Sequence, residues 1–85
     1  TLSVAENQIE GLNIYPNPAK DMISIQLPEN MVAEAAVYSV TGAKIYEVEN
    51  LQGMNKIDVQ SWMKGIYFVH VTSEGKSSVT KLIIE

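Results

Sequence analysis

The apolar residues of this chain occur in short runs that are separated by turn residues at intervals of roughly 8–12 positions. In residues 22–27, for example, Ile23, Ile25 and Leu27 alternate with polar side chains, which is the two-residue period of a half-buried strand. No segment sustains the helical period over the length of a stable helix. Parallel strands need crossovers of a dozen or more residues, for which the chain has little room. The sequence therefore predicts an all-β domain, a small antiparallel two-layer β-sandwich (Ig-like) with about seven strands.

Turn residues set the limits of the predicted strands. These strands cover residues 12–15, 22–27, 35–40, 44–49, 55–59, 66–72 and 79–84. Pro16 and Pro18 lack backbone donors and close the first strand, whereas Gly42 permits a hairpin turn between the third and fourth strands. Residues 61–65 predict one helical turn that ends at Gly65, and the apolar segment that follows predicts a central strand. The polar start of the chain predicts a linker over residues 1–11, followed by one domain over residues 12–85.

Composition restricts the classes of function. Six basic and ten acidic residues give a net charge of −4 without a basic cluster, which argues against nucleic acid or an anionic membrane surface as a partner. The absence of cysteine excludes disulfides, thiolate metal sites and cysteine nucleophiles. With one histidine, a multi-histidine metal site within one chain is excluded too, so we expect no metal and no cofactor. The chain begins with Thr1 and lacks a signal-peptide pattern, so we expect it to be part of a longer polypeptide.

Candidate catalytic and binding residues are few. His70 lies within the most apolar segment, and we expect a structural role for it at a sheet surface or edge. Asp21 and Asp58 have no calcium-loop spacing and are expected to stabilise turns. Trp62 and Tyr67 could form an aromatic platform for sugars, but the sequence favours Trp62 as a cover for the open end of a small core. No enzyme pattern remains, while a carbohydrate-binding or adhesive module and a structural spacer stay open as alternatives.

Four blocks of sequence, in order along the chain, resemble the C-terminal sorting domain of the type IX secretion system. The blocks are YPNPAKD with ISI (15–21 and 23–25), VYSVTGAK (37–44), IDV with MKGIYFV (57–59 and 63–69) and KLII (81–84). The resemblance covers about residues 12–85, which is nearly the whole chain, with the blocks in the expected order. In a modest departure, Thr41 and Ala43 flank Gly42 where the family often has an acidic residue and a directly following lysine.

The resemblance implies an address label without chemistry of its own. In this family the domain is the secretion signal of an upstream cargo, which passes from the periplasm through an outer-membrane translocon with its shuttle proteins. The cargo ends at the outer membrane, at the cell surface or outside the cell, and a sortase-like cysteine protease removes the domain. The linker over residues 1–11 is where we expect that cut. The residues expected to carry recognition are Tyr15, Pro16, Asn17, Pro18, Asp21, Gly42, Gly65, Tyr67, Val69, Lys81, Leu82, Ile83 and Ile84.

The last strand is expected to be ordered in the isolated domain and to contribute to recognition. Leu82 and Ile84 point one way and Ile83 the other, so at least one side is available to a partner. A receptor could pair with backbone groups at this sheet edge, and exposed edges could also give a weak homodimer. The loop of residues 16–18 either fixes a corner between two strands or is contacted directly by the receptor, and both roles can hold.

Overall fold

The structure is a computed structural model that describes residues 9–85. Within this range it contains seven strands and no helix, so no helix there is long and apolar enough to cross a membrane. The strands are β1 (Asn13–Tyr15), β2 (Met22–Gln26), β3 (Ala33–Ser39), β4 (Lys44–Leu51), β5 (Met54–Asp58), β6 (Gly65–Ser73) and β7 (Lys76–Ile84). The prediction of an all-β domain with about seven strands is confirmed.

The strands form two antiparallel sheets. One sheet has the order β1-β2-β5 and the other has the order β4-β3-β6-β7. Strand β6 pairs with both β3 and β7, as predicted for a central strand, and β3 and β4 form the predicted hairpin around Gly42. An isolated parallel bridge joins Ala19 to Ile84, which ties the connection between β1 and β2 to the end of β7. The antiparallel two-layer architecture is therefore confirmed.

The hydrophobic core lies between the two sheets and follows from alternation within the strands. In β2, Ile23 and Ile25 are fully buried, whereas Gln26 is exposed. The four-stranded sheet contributes these buried apolar side chains: Ala33, Ala35, Val37, Leu51, Tyr67, Val69, Val71, Leu82 and Ile84. Although β6 is apolar on both faces, only one face is buried, and His70 lies exposed on the other with its ring edge-on to Tyr38 at 4.7 Å between centroids. This position on a sheet surface is the one that the sequence predicts for His70.

The turn between β6 and β7 contains a residue that is poorly suited to its backbone. Ser73 pairs with Lys76, and both intervening residues have positive φ, 50° at Glu74 and 80° at Gly75, as in a type I′ hairpin turn. Glycine adopts this conformation freely, but a glutamate pays a steric cost there, and Asn-Gly is the preferred pair. We expect Glu74→Asn to raise the free energy of unfolding by about 0.5–1 kcal/mol, measured by urea denaturation. The matched change Glu34→Asn, within β3, should give no gain, and an unchanged or lowered stability of the Glu74 variant would contradict the strain argument.

The loops gather at two opposite ends of the sandwich, which we name after a proline in each. The Pro28 end holds residues 9–12, 27–32, 52–53 and 74–75, whereas the Pro16 end holds residues 16–21, 40–43, 59–64 and 85. The described chain enters at the Pro28 end: Ile9 is buried in the core, and a side-chain carbon at Gly11 would come within 3.3 Å of the Pro28 ring. The predicted linker therefore falls mostly on residues 1–8, outside the described range, and its boundary with the domain stays a prediction.

Candidate functional site

The connection between β1 and β2 crosses from one sheet to the edge of the other. The peptide bonds before Pro16 and Pro18 are both cis. Between them, the Asn17 side chain donates from Nδ2 to the carbonyl oxygen of Lys81 at 2.7 Å, and its Oδ1 accepts from the N–H of Ile83 at 3.0 Å. The Asn17 carboxamide thus forms the two hydrogen bonds to β7 that the backbone of a neighbouring strand would otherwise form.

Ala19 continues this lateral contact along the end of β7. Its N–H donates to the carbonyl oxygen of Ile83 at 2.8 Å, and its own carbonyl oxygen accepts from the N–H of Glu85 at 2.8 Å. The Ala19 side chain is fully buried beside Ile84. Asn17 and Ala19 together form what we call the edge strap, which closes the outer edge of β7 from the Lys81 carbonyl to Glu85.

The hairpin turn that contains Gly42 also lies at the Pro16 end. Gly42 has a φ of 95°, which favours glycine, and its N–H donates to the Ser39 carbonyl oxygen at 2.9 Å. The N–H of Ser39 donates to the Ala43 carbonyl oxygen at 2.8 Å, and the Ser39 and Thr41 hydroxyls lie 2.9 Å apart. The turn therefore closes with Thr41 and Ala43 in the flanking positions, where this sequence departs from the pattern of the family that it resembles.

The segment after β5 forms a turn in place of the predicted helical turn. The N–H of Trp62 donates to the Val59 carbonyl oxygen at 3.0 Å, and the N–H of Gln60 donates to Asp58 Oδ1 at 2.9 Å. Gly65 has a φ of 149° and begins β6 rather than ending a helix. The prediction of one helical turn over residues 61–65 is wrong, because side-chain capping by Asp58 turns the chain earlier. The predicted turn role of Asp58 is seen directly.

Three aromatic rings cover the core at this end. Trp62 lies between Tyr46 and Tyr67, with ring centroids 5.8 and 5.5 Å apart, and the rings are tilted by 51° and 46°. Trp62 is half-buried and packs against the core, while the buried Tyr67 donates its hydroxyl to the Met63 carbonyl oxygen. A sugar platform needs an exposed ring face, whereas these rings pack on one another. The arrangement favours the role of Trp62 as a cover of the core.

The structure brings most of the residues singled out in the sequence to the Pro16 end. Those residues are Pro16, Asn17, Pro18, Asp21, Gly42, Gly65, Tyr67, Lys81, Leu82, Ile83 and Ile84. Tyr15 leads into this end, and its half-exposed ring points its hydroxyl toward Met54 Sδ at 3.5 Å. Val69 lies deeper, fully buried in β6. Four sequence blocks that are far apart along the chain therefore meet at one end of the fold.

The Pro16 end combines exposed and buried members of this set. Pro16, Pro18 and Asp21 are exposed, as are Gly42 and Lys81, whereas Ile83 is half-buried on the outer face of β7. The inward-facing members hold the end in place, since Tyr67, Leu82 and Ile84 lie in the core. Within residues 9–85 no group of three or more histidine, aspartate or glutamate side chains is arranged to hold a metal ion.

Sequence reasoning did not find the edge strap. Neither the side-chain bonds of Asn17 nor the buried position of Ala19 follows from a local pattern, because their partners lie more than sixty residues away. One signal was present in the sequence, however. Asn17 lies between two prolines, which lack an N–H, so its side chain is the main polar group that this loop can offer.

Comparison with known sequences adds three findings. A family model described as "Secretion system C-terminal sorting domain" matches residues 13–85. Ulvan lyase NLR42 of Nonlabens ulvanivorans is 31% identical over 86 residues, which are 99% of this chain and 16% of that protein. Beta-agarase D of Zobellia galactanivorans is 33% identical over 75 residues, which are 88% of this chain and 15% of that protein.

A solved structure has the same fold. It comes from a study of PorZ, described as an essential bacterial surface component of the type-IX secretion system of Porphyromonas gingivalis. The TM-score is 0.75 at 21% identity, and the match covers 94% of this chain and 12% of that one. At this identity the likeness bears on the fold alone. The chain spans about a sixth of the length of the curated relatives it matches.

Proposed function

The chain belongs to the family of secretion system C-terminal sorting domains, and we propose that it exports an attached cargo by presenting its Pro16 end to the type IX machinery. The domains of this family are non-catalytic sorting signals of type IX secretion, whose cargo proteins reach the cell surface or the outside of the cell. The observation that carries the proposal is the meeting of the four sequence blocks at the Pro16 end, opposite the end where the described chain begins.

The separation of the two ends suits a receptor that must handle different cargos. An upstream cargo joins the chain on the side of Ile9, which is packed at the Pro28 end. The Pro16 end is then the part of the domain that a cargo alters least. The exposed residues Pro16, Pro18, Asp21 and Lys81 are those that a receptor contacts directly in this proposal.

The edge strap restricts how the end of β7 is recognised. The backbone groups from the Lys81 carbonyl to the Glu85 N–H already have partners in Asn17 and Ala19. A receptor therefore contacts the final residues through side chains on the outer face, such as the half-buried Ile83, and not by pairing with their backbone. The loop of residues 16–18 fixes a corner of the fold through Asn17 and offers its two prolines for direct contact.

The remaining steps of the proposal concern the route of the cargo. The folded domain waits in the periplasm, meets the shuttle and translocon proteins of the outer membrane, and is removed afterwards by a sortase-like cysteine protease. Cleavage needs extended, unpaired backbone. Since Ile9 is buried in the core, the cut falls upstream of Ile9, before the packed part of the chain. The alternative of a sugar-binding module finds no support in the tilted packing around Trp62.

A reporter fusion tests the proposed function. A periplasmic reporter joined upstream of residues 1–85 should reach the cell surface or the medium in a host with type IX secretion. In a matched host that lacks the outer-membrane translocon, the same fusion should stay in the periplasm. Fractionation and surface protease accessibility measure the distribution. Retention in the periplasm of the competent host, with the domain folded, would contradict the proposal, and equal export from both hosts would assign it to another route.

A further inference from the structure

The edge strap closes only half of the outer edge of β7. Alternate residues of an antiparallel edge strand direct both backbone groups outward. Ile83 is such a residue, because its N–H and carbonyl groups bond to Asn17 and Ala19. By the same alternation, the backbone groups of Lys81, Val79 and Ser77 point outward as well, and of these only the Lys81 carbonyl is bonded to the edge strap. Within residues 9–85 no hydrogen bond from outside the sheet reaches the backbone of Val79 or Ser77, or the N–H of Lys81. These five outward groups form what we call the open edge.

An apolar hollow adjoins the open edge on the outer face of the four-stranded sheet. Its volume is about 350 Å³, and it is lined by Tyr38, Val40, Phe68, His70 and Val79, together with the β3–β4 turn. Val79 belongs both to the hollow and to the open edge. A strand added beside β7 would therefore place every second side chain on this outer face, next to the hollow.

The charges along this edge favour an acidic partner. Lys76 and Lys81 lie at its two ends, both are exposed, and β7 contains no carboxylate. The ion pair found in the described part of the chain joins Lys44 to Glu47 instead, on the opposite edge of the sheet. Over residues 76–81 the edge is thus basic in a chain of net charge −4, whereas Glu74 and Glu85 lie beyond the two ends of β7. Lysines on an edge strand oppose pairing with a second copy of the same edge and are satisfied by acidic side chains.

From these three features we propose that an extended acidic segment of the secretion receptor pairs with the open edge of β7. The segment adds a strand over residues 77–81 and inserts an apolar side chain into the hollow beside Phe68 and Val79. Backbone pairing provides affinity, and the hollow and the two lysines provide selectivity. The inference rests on the proposed function and names how the receptor binds, at a place upstream of the final residues.

A proline at the open edge tests the pairing. Val79→Pro removes an N–H that points outward, so the bonds between β6 and β7 are kept, and edge strands tolerate proline. The matched control is Glu47→Pro on β4. Ala36 directs its backbone groups to His70 of β6, so these groups point away from β4. Glu47 of β4 lies opposite Ala36, and its N–H therefore has no partner in β3 and points outward. In the reporter fusion, Val79→Pro should lower export about tenfold, because one hydrogen bond to the receptor is lost and the receptor carbonyl is left without a donor, while Glu47→Pro should export like the unchanged chain.

Charge variants keep the test independent of proline. Lys81→Glu should lower export severalfold and Lys81→Arg should retain it, since the acidic segment meets a reversed charge in the first variant only. Thermal unfolding checks that each variant is folded, and Ser77→Pro replaces Val79→Pro if the latter does not fold. If the unchanged fusion is exported and the folded edge variants are exported equally well, the inference is wrong while the proposed function stands. If the unchanged chain sediments as a dimer that Val79→Pro dissociates without loss of export, the edge serves self-association and the inference is likewise overturned.

Discussion

Leu82→Ala is expected to lower the free energy of unfolding by about 2–5 kcal/mol, the range for removing a buried leucine side chain. Leu82 is fully buried in the core and lies opposite Tyr67 in the neighbouring strand. The loss is large because a domain of this size has a total stability of only about 4–13 kcal/mol. Urea denaturation measures it, and the fluorescence of Trp62, the only tryptophan, reports on the same end of the core.

The neighbouring residue provides the matched control. Ile83 follows Leu82 in the same strand, but its side chain lies half-buried on the outer face. Ile83→Ala should therefore cost about 1 kcal/mol or less, because less apolar surface returns to water. Equal losses for the two variants would mean that the inward and outward faces of β7 are wrongly assigned.

This pair of variants also separates folding from recognition at the end of the chain. Deletion of residues 81–85 removes Leu82 and Ile84 from the core and takes away the partners of the edge strap. A failure of the truncated domain to export would thus reflect unfolding as much as loss of a signal. Ile83→Ala leaves the core and the strap in place, so any loss of export in that variant reports on recognition.

The strands could be predicted because each one has a strong local pattern. The alternation around Ile23 and Ile25 fixes both the strand and its buried face, and the hairpin around Gly42 follows from a glycine between two β-rich runs. Strand β7 begins at Lys76, three residues before the predicted start at residue 79. Its first residues are polar, and it is the two-residue turn at Glu74 and Gly75 that extends the pairing to them. An edge strand tolerates such residues, so hydrophobicity alone underestimates its length.

The features that escaped prediction depend on distant contacts. The five residues from Ser61 to Gly65 could form either a helical turn or an open turn, and the capping bond of Asp58 with the packing of Trp62 between two tyrosines decides between them. The half-closed edge of β7 is a second case, because it depends on Asn17 and on residues near the other end of the chain. The blocks that resemble a known family mark which residues matter, but only the structure shows that Asn17 uses its polar atoms internally.

The edge strap leads to the second large effect that we expect. Asn17→Asp keeps an oxygen that accepts from the Ile83 N–H, but it replaces the donor to Lys81 with a second oxygen, at a contact of 2.7 Å. Two oxygen atoms repel each other at that distance, and the Lys81 carbonyl loses its partner. We expect the free energy of unfolding at neutral pH to fall by about 1–2 kcal/mol, the cost of one lost bond plus the repulsion at an exposed site.

The introduced carboxyl also gives the variant a pH dependence of known sign. When it is protonated it can donate to the Lys81 carbonyl oxygen again, so folding favours the protonated form and raises its pKa above the usual value of about 3.9. The deficit relative to the unchanged chain should therefore be full at neutral pH and shrink as the pH falls toward 4 and below. Asn13→Asp, an equal change of charge at an exposed position of β1, controls for the added charge.

Hydrogen exchange locates the effect within the fold. If Asn17 holds the end of β7, exchange at the N–H groups of Ile83 and Glu85 should accelerate in Asn17→Asp, while the N–H groups that pair β6 with β3 stay protected. Loss of protection spread evenly over both sheets would instead show that Asn17 stabilises the whole domain and not the strap. A variant with loosened strap and intact core would then expose the final backbone groups of β7, and its export would show whether the receptor requires this edge to be closed.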